Sequence, residues 1–300
     1  MTNFNPNAAC IDNEITFGVE LEYGRIGKTA AAHAVATVLR QHGLMDEERS
    51  NINNTYRCQV TMTDGRVWNI VSDCTVSGCE TVTPPMTFPE LPILQEVVRE
   101  LRSKGAKYDS GGGLHIHIGM QNWTDKQMAN LIKISNKNEA IIHAMATTRE
   151  HRISRWCERI PQSLVACVDQ RRTPTKNQMV EANGYCRYKG VNLRSMRTHG
   201  TVEFRLFECT THAGKVRAAV EMLLAMCTYA RTVTRASSKR REVPADNMRY
   251  AANYFLKMIG LQGDNFKTCR THMLAHLQGE SGSRIARSEN QRQPAPIVRN

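Results

Sequence analysis

The chain has 300 residues, 41% of them hydrophobic and 23% charged, and a net charge of +12, a balance ordinary for a soluble globular protein with a sizeable core. Its longest apolar runs fall well short of the roughly 18–20 residues that a membrane helix needs, so no transmembrane helix and no membrane partner are expected. The first dozen residues lack the basic and apolar stretches of a secretory signal, so a cytoplasmic setting is expected.

The ten cysteines are scattered, with no CxxC and no Cys/His zinc spacing, and read as small buried hydrophobes in a reducing compartment. The positive charge is uneven. Residues 231–300 hold 13 Lys/Arg against 5 Asp/Glu, about two-thirds of the surplus. Such a basic end either draws nucleic acid or another anionic polymer or is simply a solvated face.

In chain order, residues 19–23 read as a strand and 28–41 as an alanine-rich helix stopped by Gly43. Asp64-Gly65 signals a turn into a strand over 66–72, and 80–83 is a short strand halted by Pro84-Pro85. Leu94, Val97, Val98 and Leu101 at helical spacing predict a helix over 90–102. An apolar strand with two histidines follows at 113–119. A capping box of Thr124 and Gln127 then opens a long helix to about 148, with basic helical character over 150–158. The stretch 154–186 carries no readable pattern. Strands are predicted over 187–193 and 201–207, an amphipathic helix over 214–231, and two shorter helices over 245–259 and 265–277. Hairpin-like spacing and polar residues on single faces imply a mainly antiparallel sheet of about six strands, hence an α+β fold.

Three of those strands carry polar pairs two residues apart: Glu20 with Glu22, His115 with His117, and Glu203 with Arg205. In a strand, residues i and i+2 project from the same face, so each pair points one way out of an apolar ribbon. With Asp73 and Glu80 they make a set rich in carboxylates and imidazoles. Converging carboxylates repel one another and raise their own pKa values unless a cation neutralises them. Mg²⁺ or Mn²⁺ favours such oxygen ligands, and Arg205 adds a planar cation suited to phosphate. Two other readings compete. A basic nucleic-acid-binding protein would use 149–172 and the C-terminal end, but there are few aromatics and no recognised binding motif. A cupin-like metal enzyme also carries HxH, but the glutamate expected a few residues later is missing from Gly119-Met120-Gln121-Asn122.

Five segments in order, FGVELEY (17–23), SDCTVSGCETVTPP (72–85), GGGLHIHIG (111–119), YKGVNL (188–193) and HGTVEFR (199–205), resemble the amidoligase family. That family belongs to the carboxylate–amine ligases with glutamine synthetase and glutamate–cysteine ligase. The resemblance covers about residues 15–230. It implies a glutamine-synthetase-like catalytic fold, a curved antiparallel sheet forming a cup for ATP and divalent metal. It also implies amide formation through an acyl phosphate, with a carboxylate and an amine as substrates. By the same resemblance Glu20, Glu22, Glu80, His115 and Glu203 match metal ligands. Asp73 and Arg205 match catalytic positions, and His117, Arg205, Arg194 and Arg187 match nucleotide or phosphate contacts, with Arg155 a further arginine position. The family has Gly-Ser after the aspartate where this chain has Cys74-Thr75, a departure that bears on the loop's conformation and on substrate choice. The expected organisation is a catalytic domain over 1–235, a basic helical extension over 236–278 packing on it, and a disordered basic tail over 279–300 able to recruit an anionic polymer.

Overall fold

The structure, a computed structural model, describes residues 10–279. In chain order the elements are β1 (Phe17–Tyr23), α1 (Lys28–Gln41), β2 (Met45–Asn51), β3 (Arg57–Met62), β4 (Val67–Val71), β5 (Cys79–Val82), α2 (Leu91–Ser103), β6 (Gly113–Gly119), α3 (Asp125–Lys137) and α4 (Glu139–Met145). There follow α5 (Glu150–Arg155), α6 (Gln162–Val168), α7 (Lys176–Asn183), β7 (Val191–Asn192), α8 (Ser195–Thr198), β8 (Thr201–Glu208), α9 (Ala213–Thr232), α10 (Met248–Met258) and α11 (Lys267–Leu274). The strands form one eight-stranded sheet in the order β2-β3-β4-β5-β1-β6-β8-β7, every neighbouring pair antiparallel. The fold is α+β, with eight strands rather than about six.

The two extra strands differ in how legible they are. β3 alternates as a half-buried strand should, with Cys58, Val60 and Met62 inward. β2 (MDEERSN) has no such alternation because it lies at the sheet edge with most side chains in solvent, where charge discourages further pairing. The strand expected over 187–193 shrinks to Val191–Asn192. The expected helix over 124–148 breaks at Asn138, whose side-chain amide donates to the Ile134 carbonyl at 2.9 Å and competes with the helical ladder. Within 154–186 two helices form, and the second has a legible signal: Thr175 and Gln178 make a capping box.

One face of the sheet is the core. Phe17, Val19, Leu21 and Tyr23 of β1 alternate inward with Leu114, Ile116 and Ile118 of β6 and Val202, Phe204 and Leu206 of β8. Helices α1 and α9 cover this face, with α2 packed between them. α9 buries residues nearly all round, since α2, α3, α11 and β6 all pack against it. The opposite face, carrying Glu20, Glu22, Glu80, His115, His117, Glu203 and Arg205, is the floor of the candidate site.

The segment after α9 joins the same core. α10 packs on α4 and α11 on α9. Several arginines here have partners within the chain: Arg231 at the end of α9 pairs with Asp12 at 2.6 Å, Arg240 with Glu139 at 3.0 Å, and Arg249 and Arg270 donate to backbone carbonyls. Apart from Gly279, the expected tail over 279–300 lies outside the described residues. No helix among the described residues is long and apolar enough to cross a membrane, and all ten cysteines are free thiols.

Burial has one consequence for pH. His143 on α4 is 4% exposed and its Nδ1 has no partner, and burial together with the nearby Arg159 cation depresses it from 6.5 to about 4. Between those values the unfolded chain binds a proton that the native chain refuses. This contribution is complete above pH 6.5 and is lost as pH falls toward 4, up to about 3 kcal/mol. Urea unfolding of His143→Leu should therefore show a flatter stability profile than the parent between pH 4.5 and 6.5. Parallel profiles would rule the effect out.

Candidate active site

Register assembles the site. Glu22 on β1 stands opposite Glu80 on β5, Glu20 opposite His115 on β6, and His117 opposite Glu203 on β8, which in turn faces Asn192 on β7. Residues scattered over more than 180 positions thus become one row of side chains crossing five adjacent strands. Glu22, His115 and Glu203 are buried, and Arg205 is largely so.

Glu20 is the centre of the row. Its Oε2 lies 3.1 Å from His115 Nδ1 and its Oε1 3.2 Å from His117 Nε2. Burial alone would raise its pKa, but the hydrogen bonds and charge of the two imidazoles overcome that and hold it well below the usual carboxylate range. Glu80 goes the other way. Burial and the nearby Glu20, Glu22 and Asp73 carboxylates push it up to about 8. Glu22 is raised as well, chiefly by burial, although Gly113 N–H donates to its Oε2 at 2.6 Å. The row therefore has more carboxylate than its own cations balance.

Two ligand sets in this row have donor atoms within 4.8 Å of one another: Glu20, Glu80 and His115, and Glu20, His117 and Glu203. Carboxylate oxygens with one imidazole each suit a hard divalent cation, and the surplus negative charge favours one. Glu20 belongs to both sets and turns one oxygen toward each. His117, matched by resemblance to a nucleotide contact, is as well placed for a metal as His115. Its Nδ1 lies 2.9 Å from Thr201 Oγ1 and 3.2 Å from Ser195 Oγ, which fixes the ring with Nε2 facing Glu20.

Arg205 closes the row. Its Nη1 donates to Glu203 Oε1 at 2.5 Å, and Asn192 Nδ2 donates to Glu203 Oε2 at 2.6 Å. The Arg205 Nε donates to the Trp156 carbonyl at 3.3 Å, and its guanidinium sits 6.0 Å from the Tyr188 ring. Residues 187–190, not being strand, fold over the floor. Tyr188 packs edge-on against Trp156 at 5.0 Å, and Arg187 lies 5.1 Å from the Tyr188 ring. Together these groups enclose a cavity of about 230 Å³ whose walls include Glu20, Glu22, Asp73, Glu80, His115, Arg187 and Arg205. Asp73 sits on the loop before β5, its Oδ1 accepting from Thr75 N and Oγ1 at 2.6 and 2.5 Å. Cys74 is not among the residues with positive φ, so this loop does not need the glycine the family has there.

Two arginines expected here lie elsewhere. Arg194 lines a separate recess with Tyr185 and Arg197, and Arg155 is exposed on α5. The arginine that α5 does turn inward is Arg152, 4% exposed, on the cavity wall. Its Nη1 donates to the Gly112 carbonyl at 2.8 Å, and its buried Nε has no hydrogen-bond partner. Gly113 makes room for it: a Cβ there would come within 2.8 Å of Arg152 Nη2 and 2.7 Å of His115 Nε2. Arg152, Asn192, Ser195 and Trp156 are the site residues that sequence reasoning missed.

Comparison with curated proteins gives no match. Among solved structures, a bifunctional glutathione synthetase from Pasteurella multocida is similar at a TM-score of 0.42 and 13% identity, over 92% of this chain and 49% of that one. The chain thus spans about half the length of that protein. The family model described as "Putative amidoligase enzyme" matches residues 13–227, which contain β1 to β8, the whole acidic row and most of α9. The chain belongs to this amidoligase family.

Proposed function

We propose that the chain is an ATP-dependent carboxylate–amine ligase that joins its substrates through an acyl phosphate. The observation that carries this reading is the continuous row of four glutamates, two histidines and Arg205 across adjacent strands, in a cavity walled by further arginines. Such a wall can hold polyphosphate and a carboxylate together, which neither a nucleic-acid surface nor a mononuclear metal site requires. Glu20, Glu80 and His115, and Glu20, His117 and Glu203, would hold Mg²⁺ or Mn²⁺, with Glu22 beside them. Bound there, the metal would supply charge neutralisation and fixed coordination for phosphate oxygens. The fold proposed with this activity is the curved, glutamine-synthetase-like cup, with residues 1–235 as the catalytic domain and 236–278 as its helical extension, in a cytoplasmic protein.

The chain's own groups divide the work. Arg205, fixed by Glu203 and the Trp156 carbonyl, orients the γ-phosphoryl group, and Arg187 stands near enough to share its charge. Arg152, on the cavity wall, sets its positive charge beside the acid substrate. A carboxylate oxygen attacks the γ-phosphorus and ADP leaves. The amine nitrogen then attacks the acyl carbon, phosphate leaves with that oxygen, and the proton shed by nitrogen passes to Asp73. Trp156 and Tyr188 cover the floor and keep water from the activated acyl group.

The test is phosphate release from ATP with Mg²⁺ or Mn²⁺ over a matrix of acids and amines. Release should require one member of each class. Oxygen-18 in the productive acid's carboxylate should appear in the released phosphate. Phosphate free of label would exclude the acyl phosphate, and release indifferent to the amine would exclude the ligase.

A further inference from the structure

Beside the acidic cavity lies a second recess of about 310 Å³, lined by Val180, Gly184, Tyr185, Arg194, Arg197 and Thr198. It is at the lower end of the roughly 300–1,000 Å³ typical of small-molecule sites. Unlike the acidic cavity it has no carboxylate on its walls, which are an aromatic ring, an apolar side and two guanidinium groups. Tyr185 is 76% exposed, an unusual position for a large ring, and Arg197 lies 5.6 Å from the ring centroid. The ring's position is built. Gly184, at φ +85 and ψ 173, turns the chain sharply out of α7 in a conformation open only to glycine, and Arg194 Nη1 donates to the Tyr185 carbonyl at 3.2 Å.

The recess adjoins the acidic row along two stretches of chain. Tyr185 is three residues from Tyr188, which packs against Arg205 in the acidic cavity, and three extended residues reach at most about 10 Å. Arg194 sits between Asn192, which donates to Glu203, and Ser195, whose hydroxyl is 3.2 Å from His117. A ligand with a polyanionic end in the acidic cavity would therefore leave toward Tyr185 past His117. A planar heteroaromatic group suits what it meets there, since a tyrosine face and guanidinium planes stack such rings without regard to their edge pattern.

We propose that this recess seats the base of the nucleoside triphosphate, stacked on Tyr185, with Arg194 and Arg197 beside the ribose and phosphates. The inference rests on the ligase reading above and gives Arg194 a place at the nucleoside end rather than on the transferred phosphate.

Calorimetric titration of Mg²⁺–ATP and of Mg²⁺–tripolyphosphate into the parent, Tyr185→Ala, Tyr185→Phe and Arg197→Ala tests it, with circular dichroism to confirm folding. Tyr185→Ala should weaken ATP about tenfold or more and leave tripolyphosphate unchanged, while Tyr185→Phe, which keeps the stacking face, should bind ATP like the parent. Arg197→Ala should weaken ATP by a smaller factor. Undiminished ATP binding to Tyr185→Ala, or equal losses for both ligands, would overturn the base seat and leave the ligase reading standing. A parent protein that binds neither ligand would overturn both.

Discussion

Glu20→Gln should lose ATP-dependent phosphate release by on the order of 10³-fold, which corresponds to about 4 kcal/mol of barrier, while the protein stays folded. The substitution keeps the shape of the side chain and removes its charge. That charge is the one group shared by both ligand sets, with an oxygen facing each histidine at 3.1 and 3.2 Å. An amide can offer one neutral oxygen but cannot serve two cations, so both sets lose an anionic ligand at once. Stability should fall modestly at neutral pH, because a carboxylate held below its ordinary pKa by two imidazoles stabilises the fold, while relief of the repulsion that pushes Glu80 up offsets part of that loss. Manganese binding followed by electron paramagnetic resonance should fall in parallel with turnover, and the thermal midpoint should fall only slightly. Turnover within tenfold of the parent would remove Glu20 from the centre of the site. The matching change at the half-buried helix residue Glu96, which pairs with His42 away from the acidic row, is the control.

The site's floor could be read in the sequence because a strand's two-residue period is short. Glu20 and Glu22, or His115 and His117, declare their common face without help from the rest of the chain. What brings those pairs together could not be read. β1 lies between β5 and β6, about 60 and 95 residues away, and nothing local to GVELEY says which strand will stand on which side. Only the order of motifs, through the family resemblance, stood in for that missing register.

The roof shows the limit more sharply. Arg149, Arg152 and Arg155 have the same composition and nearly the same neighbours, yet only Arg152 lines the acidic cavity. The difference is the rotation of a six-residue helix, which buries Arg152 and Ile153 and leaves Ser154 and Arg155 outside, and no capping or charge pattern in EHRISR signals it. The strand expected over 187–193 takes in Arg187 and Tyr188. The ladder holds only Val191 and Asn192, and the released residues become the cover of the site. A short apolar alternation does not say where pairing stops, since that depends on whether a partner strand is within reach.

Phe204→Ala should give the complementary signature, lost stability together with lost turnover. Phe204 is fully buried and sits between Glu203 and Arg205 on β8, so its ring enters the core while its two neighbours enter the site. Across the sheet it pairs with Ile116 of β6 and Val191 of β7. Removing the ring leaves a cavity under that contact and should cost about 3–5 kcal/mol, a fall in thermal midpoint on the order of 10 °C. Activity should fall as well, although Phe204 touches no substrate. Glu203 and Arg205 hold their positions through the backbone that Phe204 anchors, and a displacement near 1 Å at reacting groups costs on the order of 10²-fold. Phe204→Leu fills most of the volume and should retain both properties in large part. The pair of variants separates the two faces of one strand: Glu20→Gln removes chemistry without touching the core, and Phe204→Ala removes core support and takes the chemistry with it. Full specific activity in folded Phe204→Ala would mean that the row of side chains is held from the cavity side, by Arg152, Asn192 and Trp156, rather than from the core beneath.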